Sequence, residues 1–118
     1  MLVMIGPTDL TDNIEDSSYE VESEDVFIEW EDGNNKKHRI YVRERVKGKF
    51  NIICNKRLGM DSSSFLELIK ENTENNVLLV TCWVNNKAEH RSISTYVKII
   101  TKKHTDTTDI FQLELEER

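Results

Sequence analysis

Apolar residues alternate with polar ones along much of this chain, and that period of two predicts strands. Val26, Ile28 and Trp30 alternate with Phe27 and Glu29; Asp32-Gly33-Asn34-Asn35 then supplies a turn, and the chain returns through Ile40, Tyr41 and Val42. Asn and Gly tolerate the left-handed backbone that tight hairpins need, so this is a first hairpin. Phe50, Ile52 and Cys54 set the apolar parity of the next strand, and Val46-Lys47-Gly48-Lys49 ahead of it reads as a bulge or bend. Val77 to Val84 is the most apolar strand, ended by Asn85-Asn86, with a second hairpin returning through Ile93, Thr95 and Val97 to Ile99-Ile100. A polar loop at 102–109 precedes a closing strand in which Phe111, Leu113 and Leu115 alternate with Gln112, Glu114 and Glu116.

Only residues 61–72 carry a helical period. Phe65, Leu68 and Ile69 mark one face, with Leu66 alongside. Asp61 and the serines offer N-caps, and Ser64 with Glu67 has the spacing of a capping box. One helix of about three turns covers a sheet end but builds no bundle. Six to seven strands with this helix between them predict a mainly β (α+β) fold, an antiparallel β-sandwich or small barrel. The expected division is an acidic N-terminal arm over 1–24 and a single β domain over 25–118.

With 118 residues, the chain has the length of one domain. No apolar run approaches the roughly 18 residues of a membrane span, so no membrane partner is expected. The apolar opening lacks a preceding Lys or Arg and is followed at once by acids, the reverse of a secretory leader. Cys54 and Cys82 lie in apolar runs and read as small buried hydrophobes in a reducing compartment.

The residues that carry chemistry are present without their partners. His38, His90 and His104 have no second His or Cys at ligand spacing, so no metal is expected. Desolvation disfavours a thiolate in apolar strands. Ser62-Ser63-Ser64 reads as capping, no nucleophile elbow exists, and the isolated Gly48 and Gly59 make no phosphate loop. Glu29 with Glu31 and Glu114 with Glu116 share strand parity, as a solvated face does, and no Lys follows the second pair. The expectation is a protein that is not an enzyme, with no catalytic residue, cofactor or small-molecule substrate.

Charge is polarised along the chain. Residues 1–32 carry −11, residues 36–57 carry +8, and the remainder −3, for a net −6. Two arrangements follow. The acidic lead-in lies against the basic strands of its own domain, or acids and bases meet between subunits. In the second case the interface residues are Glu20, Glu22, Glu24 and Asp25 facing Arg39, Arg43, Arg45, Lys47 and Lys49 of a neighbour. A nucleic-acid site on 36–57, with Tyr41 and Phe50 as stacking rings, is disfavoured by the acidic pI of about 5.1 and by the inward parity of Phe50.

Arg43-Glu44-Arg45 leads to Lys47 and a strand, then to a helix near Phe65, a central apolar strand, and a turn at Asn85-Asn86. The chain stops in Phe111-Gln112-Leu113-Glu114-Leu115-Glu116-Glu117-Arg118. In that order, residues 26–118 are similar to small proteins from the tail region of long-tailed bacteriophages and prophages. They also resemble the β-sandwich or barrel with one helix shared by tail-tube, tail-completion and baseplate-hub domains. The opening Met4-Ile5-Gly6-Pro7 departs from the Ile-Asn-Gly turn common in such proteins. The resemblance implies a virion tail part, made in the bacterial host cytoplasm. Such a part assembles with itself in rings or stacks, or docks on other tail proteins, through β-augmentation and charge pairing. The alternative is a small acidic regulator or inhibitor whose residues 9–25 mimic nucleic acid for a basic protein partner.

Overall fold

Two hairpins and a closing strand generate most of the architecture. The computed structural model describes all 118 residues. Its strands are β1 (Met4–Ile5), β2 (Thr8–Asp9), β3 (Glu20–Glu31), β4 (Lys37–Asn55), β5 (Thr73–Glu74), β6 (Val77–Val84), β7 (Glu89–His104) and β8 (Thr108–Glu117). The helix α1 (Ser62–Asn72) lies between β4 and β5. All pairings are antiparallel, in the order β2-β1-β6-β7-β8-β4-β3, with β5 on the flank of β6. The fold is mainly β with one helix, as the alternation predicts; the strand count differs because β4 joins into one the stretches 40–42 and 50–54 that read as separate strands, while β1, β2 and β5 have two residues each, too short to show a period.

The sheet curls until β3 meets β6. Asn85 N–H donates to the Val21 carbonyl at 2.9 Å. Beside it, the Asn86 side chain accepts from Ser23 N–H at 2.8 Å and donates to the Ser23 carbonyl at 2.7 Å. One amide side chain thus supplies the donor and acceptor that a further strand residue would offer, and the barrel closes without a continuous ladder at that seam.

The apolar parity of each strand fills the interior. Val21, Val46, Phe50, Ile52, Leu78, Val80, Cys82, Val84, Leu113 and Leu115 are buried. Phe65 of α1 stacks on Phe111 with centroids 5.5 Å apart, and Tyr19 stacks on Phe50 at 5.5 Å. Asp61 caps α1 by accepting from Ser64 N–H at 2.8 Å, so Ser64 lies inside the first turn and is not the cap of a box with Glu67. β4 runs unbroken past Val46-Lys47-Gly48-Lys49. Gly48 is required there for space, because a Cβ would lie 2.1 Å from the Glu20 carbonyl oxygen and 2.6 Å from Val21 Cα.

Residues 1–24 are packed into the same unit. Val3, Ile5, Leu10, Ile14 and Val21 are buried, β1 pairs with β6, Ile14 bridges to Ile52, and β3 crosses position 24 without interruption. The stretch looks like an arm because short 3-10 turns at Thr11–Asn13 and Asp16–Ser18 leave no strand or helix period. Both cysteines are buried and unpaired, and burial pushes each thiol up to about 11. No helix is long and apolar enough to cross a membrane.

Candidate functional site: the projecting hairpin

β3 and β4 outrun the barrel. β8 accompanies β4 only over Lys47–Asn55, and the seam holds β3 at Val21 and Ser23. Beyond Val26 and Arg43 the hairpin has no neighbouring strand. It extends a molecule measuring 63 by 26 by 25 Å.

A β-bulge sits at its base. Val26 pairs with Arg43 but Phe27 pairs with Tyr41, which leaves Val42 as the extra residue. The insertion exchanges the faces of β4 beyond it. Arg39 and Tyr41 therefore do not share a face with Arg43 and Arg45, as an unbroken alternation predicts. Above the bulge one face is charged: Glu29 opposes Arg39 and Glu31 opposes Lys37, beside Phe27 and Tyr41. The Arg39 guanidinium lies 3.5 Å from the Phe27 ring centroid and 3.3 Å from Glu29.

On the other face two uncharged rows lie between the Val26–Arg43 pair at the bulge and Asp32, which bonds His38, at the tip. Ile28 opposes Ile40 and Trp30 opposes His38. Ile28 is 57% exposed, Ile40 55% and Trp30 43%. Burying such area is worth roughly 25 cal/mol per Å², so leaving a contiguous row in water forgoes stabilisation that this chain does not recover within itself.

The hairpin is nevertheless held firmly at tip and root. Asp32 accepts from Asn34 N–H at 2.8 Å and Lys36 N–H at 3.1 Å, and its second oxygen meets His38 Nε2 at 2.8 Å. These contacts, that of His38 first, hold the Asp32 carboxyl below the usual range. The His38 ring stacks on Trp30 at 5.1 Å. At the root, Glu44 bonds Lys87 at 2.9 Å and Arg91 at 3.2 Å, and Arg43 donates to the Arg118 carbonyl at 2.7 Å.

The charged residues singled out by sequence are brought together inside one chain. Glu20, Glu22, Glu24 and Asp25 lie on β3; Glu20 opposes Lys49, Glu22 opposes Lys47, Glu24 opposes Arg45, and Asp25 opposes Glu44. Arg45 reaches Glu24 at 2.6 Å and Glu116 at 2.8 Å, while Lys49 lies 3.9 Å from Glu20. Lys47 also faces Glu116 and Lys49 faces Glu114 on β8. Segregation of sign along the sequence has become alternation of sign across β3, β4 and β8. Arg39 stands apart, above the bulge.

Sequence reasoning places Val26, Ile28 and Trp30 on a strand of the first hairpin, with Trp30 as core or interface packing, and does not single out the apolar face. A signal existed: Val26-Phe27-Ile28 and Ile40-Tyr41-Val42 are apolar at both parities, whereas a strand with one covered face hides only one.

At the opposite end of the sheet, His104 Nδ1 and Ser62 both meet Asp109, whose carboxyl is held low by Ser62 first and then His104. Hydroxyl and imidazole share one carboxylate there; neither serves the other as base. No group of three or more His, Cys, Asp or Glu side chains converges in a metal-holding arrangement. No family model matches this chain, and no curated protein matches it.

Proposed function

We propose that this chain is a non-enzymatic structural protein of a phage tail or baseplate, assembling through its projecting hairpin by self-association or by docking on other tail proteins. The observation that carries this reading is the uncharged, exposed row of Ile28, Trp30 and Ile40 on a hairpin braced at both ends. An isolated two-stranded ribbon is marginal in water, and a stiffened one with apolar residues outward gains most when another surface covers it. The order of elements over 26–118 supplies the tail context. Glu20 and Glu24, which a nucleic-acid mimic would present, are instead engaged by Lys49 and Arg45 of the same chain.

Absolute mass by light scattering at low and high salt, with negative-stain images, tests the reading. Rings or stacks that persist in high salt are expected, because the contact is apolar and the charge pairs are internal. Assemblies that disperse in salt would move the contact to the charged strands. A protein that stays monomeric at millimolar concentration would overturn self-association.

A further inference from the structure

The hairpin's uncharged face has a counterpart on the same molecule. On the outward face of β6 and β7, Leu79 opposes Ser94, Thr81 opposes Ser92, and Trp83 opposes His90, with Tyr96 next along β7. None of these is Asp, Glu, Lys or Arg. Leu79 is 52% exposed and Tyr96 49%. The Thr81 and Ser92 hydroxyls bond each other at 2.8 Å, and Trp83 meets the edge of His90 at 4.9 Å. The Thr81, Ser92 and His90 side chains thus already have partners, His90 Nε2 accepting from Leu2 N–H at 3.0 Å. The nearest charge is Glu116, which opposes Tyr96 on β8 and is bonded by Arg45.

We propose that this β6–β7 face receives the hairpin of a second copy of the chain, with Ile28, Trp30 and Ile40 lying over Leu79 and Tyr96. The inference rests on the assembly reading above and specifies its partner. Two observations select a second copy. Both halves of the contact are present on one chain, and the facing rows of each, Ile28–Ile40 and Trp30–His38 on the hairpin and Leu79–Ser94, Thr81–Ser92 and Trp83–His90 on β6–β7, contain no Asp, Glu, Lys or Arg. The outward positions of β3, β4 and β8 between the two patches carry the charge ladder, where a neutral hairpin would have to displace water from ions.

The two patches differ, so the contact is head to tail, each copy giving a hairpin and receiving one. A two-strand footprint of about 17 by 10 Å falls well below the ~800 Å² per partner of a stable pair. A pair is therefore weak and a closed ring gains by engaging every hairpin.

The test is a crosslink between two single variants, Ile40→Cys and Leu79→Cys, mixed and treated with a flexible bis-maleimide. Both positions are exposed, and the native thiols are buried, so wild type serves as the unreactive control. A two-chain product in the mixture, several-fold above that of either variant alone, is expected. Crosslinking of Ile40→Cys with itself would overturn the proposal in favour of a hairpin-to-hairpin contact. If wild type forms large assemblies and the mixture gives no product, the assignment of the receiving face falls while the assembly reading stands. If wild type also stays monomeric, both fall.

Discussion

Gly48 shows how one missing side chain sets the approach of two strands. A methyl group there meets backbone on β3, not the end of a flexible side chain, so relief requires the strands to part. Gly48→Ala is expected to cost about 3 kcal/mol in urea unfolding. Gly33→Ala, with nothing within 4 Å of the new carbon, should stay within about 0.5 kcal/mol of wild type. Titrating side chains give a second expectation. The carboxyls of Glu24, Glu44 and Asp61 are held low by hydrogen bonds from Arg45, Lys87 and the Ser64 backbone respectively. Their contribution is complete above the ordinary values of 3.8–4.5 and is lost as pH falls through the lower folded values. Cys54 and Cys82 act in the opposite sense: with folded values near 11 against an ordinary 9.0, they favour the folded state below pH 9 and cease to as pH rises towards 11. Unfolding midpoints measured across pH should form a plateau that falls below about 4.5 and above about 9. The inward parity of both cysteines was legible from alternation. The need for Gly48 was not, because it depends on β3, which is 27 positions upstream at Val21.

Among the elements, the seam is held differently from the rest of the barrel. Every other long boundary is a ladder; here the Asn86 amide bonds both backbone groups of Ser23, and the buried Ser23 hydroxyl has no partner. Asn86→Ala removes two hydrogen bonds from partly buried backbone and is expected to cost about 2 kcal/mol. Amide exchange should quicken first at Ser23 and Asn85, ahead of the β7–β8 ladder; uniform exchange across both would refute a weak seam. Both hairpins were readable from Asp32-Gly33 and Asn85-Asn86, and the helix from Phe65, Leu68 and Ile69. The bulge at Val42 was not readable, since valine is an ordinary strand residue and the extra position becomes visible only against its partner strand.

For the molecule as a whole, the sequence showed that charge is segregated but not how the segments are stacked. The answer lies in strand order: β8, 53 to 69 positions from its partners on β4, enters between β4 and β7 and sets negative residues beside positive ones. Arg45 is central to that lattice. Arg45→Glu would place three carboxylates together and is expected to lower stability by about 1–2 kcal/mol at low salt, with partial recovery at high salt. Assembly well below the melting midpoint should be unchanged, which separates this internal role from a contact between subunits.

The central place of β8 also governs timing. As the chain is synthesised, β4 and β7 are complete before the strand that joins them exists, and both wait with bare hydrogen-bonding edges. Local hairpins form early, within microseconds, yet the barrel closes only when the last strand to be made threads between two already standing. A slowed or stalled ribosome therefore holds this protein in its most adhesive state, and a substitution that delays β8 reduces the yield of folded protein before it alters any property of the protein once folded.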